Sequence, residues 1–277
     1  MQRLHDTVPA DPDDLLVLAL EVVRPAAAAA REMREQGVST VATKSTETDV
    51  VTAADRAVEH QIRAAILAAR PGDRVLGEEF GADGGGAAVR WILDPIDGTV
   101  NYLYGLPHYA VSLAAEVDGE VVAGVVHNAA TGEEWLATRG GGAYTGSGAQ
   151  RRRLDGSRQT RLSQALVGTG FGYDPARREH QAAVVAGLIT SIRDIRRFGA
   201  AAIDLCMAAE GRLDAYYERG LNLWDHAAGG LVAREAGLLV TGLAGAPPGP
   251  ELVIAAPPAL HGPLHERLVA LGAASGP

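Results

Sequence analysis

The stretch WILDPIDGTVN, residues 91–101, is the part of the chain around which the rest can be understood. Its three apolar residues are typical of a buried strand, and they lead into two carboxylates three positions apart, Asp94 and Asp97. Pro95 removes a backbone donor and disfavours helical geometry at Asp94, while Gly98 allows positive φ or close approach of a ligand. Taken alone, the pattern fits a strand and an ordinary turn as well as it fits a site for a hard cation such as Mg²⁺.

Composition limits the classes of protein that this chain can represent. Its 277 residues, 47% of them hydrophobic, can bury one large core or two moderate ones. With 25 basic and 34 acidic residues the formal charge is 25 − 34 = −9. This charge disfavours a nucleic-acid partner, because such binding depends on Lys and Arg neutralising phosphates. A bound metal can still reverse the local sign for a phosphorylated substrate.

The cysteine content and the hydropathy of the chain indicate the cellular compartment in which it is expected. The single cysteine, Cys206, cannot form an internal disulfide, and its apolar helical surroundings predict a buried packing residue. No apolar stretch reaches transmembrane length, and the acidic N-terminal segment does not fit a signal peptide. We therefore expect a soluble, cytoplasmic protein without a membrane partner.

Periodicity predicts an alternation of helices and strands. Helices are expected at about residues 12–36, 52–70, 178–192, 199–210, 225–236 and 259–271. One strand is expected to begin at Trp91 and to lead into the turn with Asp94 and Asp97. The other strands are expected at about 74–77, 108–117, 120–127, 133–138, 165–169, 213–217, 238–241 and 252–255.

Local signals refine this pattern. Pro25 should kink the first helix or split it in two, and Thr52 with Asp55 forms a capping box at the start of the second. The order of elements indicates stacked layers of helices and sheets, an α/β architecture. Glycines at 140–142 and the polar stretch 146–161 suggest two subdomains, residues 1–148 and 149–277.

Acidic residues stand at the ends of four predicted elements: Asp49 with Asp55, Glu78 with Glu79, Asp94 with Asp97, and Asp225. Individually, Glu78 and Glu79 are typical of a solvated pair, and Asp225 of a helix N-terminus. Together they lie at strand exits and helix entries, where α/β folds place their sites. Several carboxylates in one site repel one another unless a cation is bound. Two bound metal ions can also hold the attacking and leaving oxygens of a phosphoryl transfer.

These motifs resemble the inositol monophosphatase family, the lithium-sensitive type of Mg²⁺-dependent phosphomonoesterase. The similarity covers nearly the whole chain and rests on the segments GEE (77–79), WILDPIDGTVN (91–101), LWDHAAG (223–229) and EAG (235–237). It implies the layered αβαβα sandwich of sugar phosphatases, with most metal ligands in the N-terminal subdomain. It also implies a homodimer and two or three Mg²⁺ ions per site.

The resemblance assigns a role to each matching residue. Asp94 bridges two ions in the implied metal set, which consists of Glu78, Asp94, the Ile96 carbonyl, Asp97 and Asp225. Glu78 and Thr99 position and help deprotonate the attacking water, and Asp55 supports Thr99 from behind.

Substrate contacts follow from the same resemblance. The phosphate is received by the amides of Gly98 and Thr99, as expected for a helix N-terminus, and Glu218 contacts the sugar hydroxyls. The full implied set is Glu78, Ile96, Asp97, Gly98, Thr99, Gly199, Ala200, Ala201, Glu218 and Asp225. Lys44 and Asp49 fall in a loop that, in relatives, closes over the site and helps to bind a third metal.

The implied activity is hydrolysis of a phosphate monoester, foremost myo-inositol 1-phosphate, by in-line attack of a metal-activated water. Histidinol phosphate is the first alternative substrate, and fructose 1,6-bisphosphate and nucleotide 3′-phosphates are further ones. From another class, some relatives associate with RNA and the transcription apparatus, and hydrolysis could be incidental to such a role.

Competing motifs are weak. Residues 168–172, GTGFG, faintly resemble a dinucleotide-binding loop, but Tyr173 breaks the required GxGxxG spacing. No Gly-x-Ser-x-Gly nucleophile elbow occurs. His226 adjoins Asp225 and is expected to act structurally beside it.

Overall fold

Three layers of helices alternate with two large sheets in the computed structural model, which describes residues 11–38, 41–43, 50–82, 88–146 and 148–275. The helices are α1 (Pro12–Glu35), α2 (Ala53–Ala69), α3 (Thr99–Tyr104), α4 (Pro175–Leu188), α5 (Ala201–Glu210), α6 (Leu223–Glu235) and α7 (Pro258–Ala270). Short 3₁₀ turns occupy Gly148–Gln150, Leu162–Gln164, Ile189–Ser191 and Leu243–Gly245.

Strands fall into a short hairpin and the two sheets. The strands are β1 (Val41–Thr43), β2 (Val50–Thr52), β3 (Arg74–Gly77), β4 (Gly81–Ala82), β5 (Val89–Asp97), β6 (Ala110–Val117), β7 (Glu120–Asn128), β8 (Glu134–Thr138), β9 (Gly142–Thr145), β10 (Arg152–Arg153), β11 (Leu166–Thr169), β12 (Asp194–Arg196), β13 (Ala215–Glu218), β14 (Leu239–Thr241) and β15 (Val253–Ala256).

The two sheets differ in topology. The first has eight strands in the order β10-β9-β8-β7-β6-β5-β3-β4, and all its neighbours are antiparallel except β3 and β5. The second has five strands in the order β12-β11-β13-β15-β14, with β11 parallel to both its neighbours. The run from β6 to β8 is the predicted meander.

Side-chain alternation along β5 explains the layering. Trp91 and Leu93 pack in the core that α1 and α2 form with the first sheet, whereas Ile92 faces the core shared with α5 and α6. Helices α5 and α6 also contact strands of the second sheet, and α7 covers its far face next to α4. The layers are therefore αβαβα, which confirms the predicted fold class.

Strand β5 does not end where the sequence pattern placed its turn. Asp94 pairs with Ser112 and Asp97 with Ala110, so three steps along β5 match two along β6. This is a β-bulge, and it falls at Pro95, which has no N–H to donate to the ladder. Both acids thus lie within the strand, and the chain turns only at Gly98, where φ is 90°.

Most predicted elements are confirmed within a few residues, with instructive differences. Pro25 lies inside α1 without dividing it, so the split considered at this proline does not occur. The Thr52–Asp55 capping box is present, and Cys206 is buried. The short strands β1, β2, β4, β9, β10 and β12 were not predicted, because such brief segments carry almost no periodicity.

Two further expectations concern the division into subdomains and the membrane. The division into residues 1–148 and 149–277 stays a prediction, although β10 of the first sheet lies beyond that boundary. Among the helices of the described ranges, none has the length and hydropathy needed to cross a membrane.

Helix α5 packs closely on α6, and two adjacent glycines of α6 allow this packing to be tested. A Cβ on Gly229 would lie 2.9 Å from the Ala202 carbonyl oxygen and 3.0 Å from the Leu205 Cβ, whereas one on Gly230 would meet nothing nearer than 3.8 Å. Gly229→Ala should therefore cost about 1–2 kcal/mol of unfolding free energy through overpacking. Gly230→Ala should be neutral or stabilise by up to about 1 kcal/mol, because alanine favours helix. Urea unfolding of both variants measures the difference, and equal effects would contradict this packing.

Candidate active site

The predicted acids meet in one cleft of about 560 Å³, a size ordinary for small-molecule sites. It lies at the end of β5, beside the first turns of α5 and α6. Its walls include most of the predicted site residues, namely Glu78, Asp94, Ile96, Asp97, Gly98, Thr99, Gly199, Ala201, Glu218 and Asp225. Asp55 and Ala200 are buried behind this wall, and Lys44 and Asp49 lie outside the described residues.

Asp94 is the most central of the acids. It is 2% exposed, and its Oδ1 accepts a hydrogen bond from the Ile96 amide at 3.1 Å, across the bulge. Burial raises the pKa of Asp94 well above its usual value, and the charges of Glu78, Asp97 and Asp225 raise it further. One carboxylate thus experiences the charges of several others.

Asp97 is held by the start of α5. Its Oδ2 accepts from the Ala202 amide at 2.7 Å and its Oδ1 from the Ala201 amide at 3.2 Å. Burial raises the pKa of Asp97 to about 7, against the lowering effect of the Ala202 hydrogen bond. The acid therefore links the end of β5 to a helix that begins far along the chain.

Asp225 lies at a helix N-terminus, as its sequence position suggested, and it also faces the cleft. From the first turn of α6, its Oδ2 accepts from the Asn222 amide at 2.6 Å, the contact of a capping box. The same side chain lines the cleft. Burial raises its pKa well above the usual value, and the charges of Asp97 and Glu78 add to the rise.

Thr99 sits between a carboxylate and a carbonyl. Its hydroxyl oxygen is 3.2 Å from Asp55 Oδ1 and 3.2 Å from the Ile96 carbonyl oxygen. Asp55 itself is fully buried, and its Oδ2 accepts from the amide and hydroxyl of Thr52 at 2.8 and 2.6 Å. The hydroxyl has one proton, so it donates to one of these two oxygens at a time. The two contacts together hold the hydroxyl oxygen in position in the cleft wall.

The turn that follows Glu78 is held by a residue that the sequence did not single out. The carboxylate of Glu59, fully buried, accepts from the amides of Glu79 and Phe80 at 2.8 and 3.2 Å and pairs with Arg63. It occupies the place of a side chain at Gly77, where a Cβ would lie 2.1 Å from Glu59 Oε1. The glycine of the GEE motif therefore makes room for the acid that shapes the turn after Glu78.

Gly98 and Asn101 connect this turn to the second half of the chain. A Cβ on Gly98 would lie 2.7 Å from the His108 carbonyl oxygen, and φ there is positive. Asn101 donates to the carbonyl oxygens of His108 and Phe198 at 2.7 and 2.8 Å. The segment that leads into α5 is thus tied to the motif residues after Asp97.

Glu218 lies on the cleft wall at the end of β13. Its carboxylate accepts a hydrogen bond from the buried hydroxyl of Tyr216. It packs over Gly170, where a Cβ would lie 2.0 Å from Glu218 Oε2. Burial raises the pKa of Glu218 to about 7, although the Tyr216 hydrogen bond and the charge of Arg197 both oppose the rise.

Several residues near the cleft were not predicted. Asp204 is 1% exposed, and burial raises its pKa well above the usual value, with the charges of Glu218 and Asp97 adding to the rise. A lone acid in the apolar helix AAIDLCMAA was a usable signal.

The basic side chains of the cleft were missed as well. Arg177, Arg197 and Arg219 line it, and no motif marked them. His226, by contrast, is buried with its pKa lowered to about 4 by burial, which leaves the ring neutral and structural.

The donor set suits a hard divalent cation. Its charged donors are all carboxylates, which favour Mg²⁺ over softer ions, and a cation would relieve the repulsion that raises the pKa of Asp94 and Asp225. In the described parts of the chain, no group of three or more His, Cys, Asp or Glu side chains is arranged so that it could hold a metal ion as it stands. Each carboxylate oxygen has two lone pairs, so the amide contacts hold these acids in place and leave acceptors for an ion.

Comparison with known proteins agrees with this chemistry. The family model of the inositol monophosphatase family matches residues 11–273. The chain belongs to the inositol monophosphatase family. A Mycobacterium tuberculosis relative, "Inositol-1-monophosphatase SuhB", is 47% identical over 243 residues, which cover 85% of this chain and 82% of that protein. The Haemophilus influenzae relative "Nus factor SuhB" is 38% identical over 228 residues, with coverage of 82% and 84%.

Structural similarity extends over almost the full length of this family member. The solved structure of Mycobacterium tuberculosis SuhB matches with a TM-score of 0.83 at 40% identity, covering 96% of this chain and 100% of that one. The family resemblance and the fold class predicted from the motifs are confirmed. With relatives of these names over most of its length, the chain is an inositol-phosphate phosphatase.

The raised pKa of Glu218 predicts a pH-dependent stability in metal-free protein. The folded carboxyl has a pKa of about 7 against an ordinary 4.5. Its contribution to stability is therefore complete below the ordinary pKa and is lost as pH rises through about 7. Glu218→Gln, which cannot ionise, should gain on the parent by up to about 3 kcal/mol of unfolding free energy across that range.

Urea unfolding in EDTA at several pH values measures this difference. The introduced glutamine can still accept the Tyr216 hydrogen bond, so the comparison isolates the charge. Glu179→Gln, on the exposed part of α4, serves as a control for the replacement of a glutamate by glutamine. A Glu218→Gln difference that is the same at every pH would contradict the raised pKa.

Proposed function

We propose that this chain hydrolyses myo-inositol 1-phosphate to myo-inositol and phosphate in a Mg²⁺-dependent reaction, by in-line attack of water. The observation that carries the proposal is the convergence of Glu78, Asp94, Asp97, Asp225 and Thr99 on one cleft. Relatives named inositol-1-monophosphatase over most of the chain support the choice of substrate.

The metal set in this proposal is Glu78, Asp94, the Ile96 carbonyl, Asp97 and Asp225. Magnesium, when bound, neutralises charge on the phosphate oxygens and lowers the pKa of water. Glu78 and the Thr99 hydroxyl would position the attacking water and help to deprotonate it, with the proton passing to the Glu78 carboxylate. Asp55 fixes the hydroxyl through the 3.2 Å contact. The amides of Gly98 and Thr99 receive the phosphate at the turn into α3.

The leaving alcohol then lies towards Glu218 and the segment Gly199–Ala201. Glu218 accepts hydrogen bonds from ring hydroxyls, and the small side chains of Ala200 and Ala201 leave space for a ring. A polyol presents hydroxyl donors around its ring to Glu218 and matches the uncharged lining of Gly199–Ala201. This supports the polyol over histidinol phosphate as the substrate.

A second candidate comes from the relative named as a Nus factor. In that case the chain binds the transcription apparatus, and hydrolysis is incidental. The chain's charge of −9 disfavours direct RNA binding, so such a partner would be a protein. Pull-down with RNA polymerase, beside a complementation test with Asp94→Asn, separates the two, since full complementation by the inactive variant would favour the binding role.

Assembly and compartment belong to the same proposal. We expect a homodimer in the cytoplasm, as in the family, and analytical ultracentrifugation tests the dimer.

The metal assignment predicts a large effect of Asp97→Asn. Loss of one negative charge from the cluster should reduce kcat by about a hundredfold or more, on the scale of other electrostatic contributions to catalysis. The fold should persist, because the amide oxygen of asparagine can still accept from the Ala202 amide at the start of α5. Steady-state release of phosphate with Mg²⁺ measures the effect, and circular dichroism checks the fold.

Asp118→Asn is the matched control for that experiment. Asp118 lies in the β6–β7 turn at φ 52°, a conformation that Asn tolerates well. Its activity should equal that of the parent. Near-normal turnover of Asp97→Asn would contradict the metal assignment.

The proposed contact of Glu218 with the leaving group predicts a change of selectivity. Glu218→Gln should lower kcat/KM for myo-inositol 1-phosphate about tenfold more than for an aryl phosphate that lacks hydroxyls, the usual scale for one hydrogen bond to a charged group. A panel of inositol, histidinol, fructose and nucleotide phosphates, each with Mg²⁺, is measured beside the aryl phosphate. Equal losses on inositol and aryl phosphates would refute the contact.

A further inference from the structure

We propose that Glu59 is a positioning residue for the hydrolysis, because it holds the peptide group after Glu78 and thereby directs the Glu78 carboxylate into the cleft. The inference rests on the proposed function, in which Glu78 binds Mg²⁺ and acts on the attacking water. Glu59 is fully buried on α2, and it does not line the cleft. It can therefore influence the reaction only through other residues.

The backbone on both sides of Glu78 is held by hydrogen bonds. Its own amide donates to the Leu93 carbonyl oxygen at 3.3 Å, and the next amide, that of Glu79, donates to Glu59 Oε2 at 2.8 Å. Because each peptide group is planar, restraining the two planes that flank a Cα restrains φ and ψ at that residue. The direction of the Glu78 side chain is therefore set by β5 on one side and by Glu59 on the other.

Glu59 also holds the rest of the turn that joins β3 to β4. Its Oε1 accepts from the Phe80 amide at 3.2 Å. Its carboxyl group fills the space beside Gly77, where a Cβ would lie 2.1 Å from Oε1. A carboxylate that accepts from two consecutive amides restrains the turn more closely than a single hydrogen bond would.

Arg63 keeps the Glu59 carboxylate in this position. Its Nε donates to Glu59 Oε1 at 2.8 Å, and its Nη1 donates to the Val75 carbonyl oxygen on β3 at 3.2 Å. Its Nη2 donates to the Gly81 carbonyl oxygen on β4, and its Cζ lies 5.9 Å from the centroid of the Phe80 ring. One guanidinium group therefore neutralises Glu59 and joins the two strands that flank the turn.

The alternative interpretation of Glu59 and Arg63 is an ion pair that only stabilises the fold. A buried ion pair contributes little net stability, because desolvation of both charges offsets their attraction. Glu59 also lies four positions after Asp55, and like charges at that spacing destabilise a helix. Both carboxylates are fully buried. Stability alone therefore does not account for these charges, whereas their contacts with site residues do.

Helix α2 contacts both groups that act on the water in the proposed mechanism. Asp55, Glu59 and Arg63 follow one another at intervals of four residues, so they share one buried face of the helix. Asp55 contacts the Thr99 hydroxyl at 3.2 Å, and Glu59 holds the peptide group after Glu78. This helix face therefore fixes the position of one group relative to the other.

Glu59→Gln tests the proposal. Glutamine keeps the size of the side chain but loses the charge that Arg63 binds and one of the two acceptors for the turn amides. At saturating Mg²⁺, kcat for myo-inositol 1-phosphate should fall about tenfold to a hundredfold, the scale expected when a catalytic group is slightly misplaced. KM should stay near the parent value, since the amides proposed to receive the phosphate lie at Gly98 and Thr99. Steady-state release of phosphate measures both constants.

Calorimetric titration with Mg²⁺ gives a readout that does not depend on turnover. Because Glu78 is a proposed ligand, Glu59→Gln should weaken the binding of Mg²⁺ about tenfold, the scale on which residues behind a metal ligand act. Unchanged affinity together with unchanged kcat would overturn the proposal.

A double-mutant cycle with Glu78→Gln separates positioning from general damage to the fold. If Glu59 acts through Glu78, adding Glu59→Gln to the Glu78→Gln variant should lower kcat and the Mg²⁺ affinity little further. Equal fold-losses in the two backgrounds would show that Glu59 is structural only, and the proposal would then be wrong.

Glu134→Gln is the matched control. Like Glu59, Glu134 is a buried carboxylate that pairs with an arginine, in this case Arg24 at 2.8 Å. It lies on β8 and does not line the cleft. This variant should unfold at a lower urea concentration than the parent but keep the parent kcat and Mg²⁺ affinity. Losses as large as those of Glu59→Gln would count against a positioning role.

Arg63→Lys decides the case in which Glu59→Gln does not fold. Lysine keeps the buried positive charge but lacks the planar fork that reaches Glu59 and the two strand carbonyl oxygens together. It should lower kcat and the Mg²⁺ affinity several-fold, again with little further loss in the Glu78→Gln background. Parent values of both quantities would overturn the proposal.

Failure of this inference and failure of the proposed function give different results. If Glu78→Gln lowers kcat but the effect of Glu59→Gln is the same in both backgrounds, only the inference fails. If Glu78→Gln keeps the parent kcat, the role of Glu78 in the proposed function is wrong, and the inference fails with it. If myo-inositol 1-phosphate is not hydrolysed, the proposed substrate is wrong, and the Mg²⁺ titrations of the cycle still decide whether Glu59 acts through Glu78.

Discussion

Mutual repulsion among buried carboxylates is the constraint on which this structure depends. Asp94, Asp97 and Asp225 come from two distant parts of the chain, and burial together with the charges of neighbouring acids raises the pKa of each. Gathering these carboxylates lowers the stability of the folded protein, because each buried charge loses its hydration. A bound cation would make the arrangement favourable, so binding of a metal and the stability of the cleft would be linked.

The rest of the fold serves to hold these acids against that repulsion. Asp97 is fixed by the first amides of α5, Asp225 by the capping box of α6, and Asp55 by the capping box of α2. In each case a helix N-terminus supplies the N–H donors and a favourable dipole. The sheet contributes the bulge at Pro95, which brings Asp94 and Asp97 to the same end of β5. Glycines at positions 77, 98 and 170 then remove the side chains that would occupy the space of site residues.

The residues expected to act in the chemical step also differ from those expected to determine substrate selectivity. The acids and Thr99 lie where the phosphate is expected to react, and they belong to motifs that are continuous in sequence. Glu218, Arg177 and Arg197 line the same cleft from separate elements, and the alcohol is expected to leave towards Glu218. Differences in substrate can therefore arise from changes on β13, α4 and the segment before α5 without altering the metal end.

The sequence by itself determined the layered fold class, the extents of the long helices and central strands, and the family. It did so because helical and strand periodicity are local properties and because DPIDGT, GEE and WD keep their spacing. Only the tertiary structure decided that Pro95 is a bulge within a strand, that Glu59 fills the space beside Gly77, and that two arginines line the cleft. These features depend on which residues of distant segments become neighbours, and no pattern along one segment carries that information. The family motif in WILDPIDGTVN could thus be identified from the sequence, whereas the residues that contact it were identified only in the packed tertiary structure.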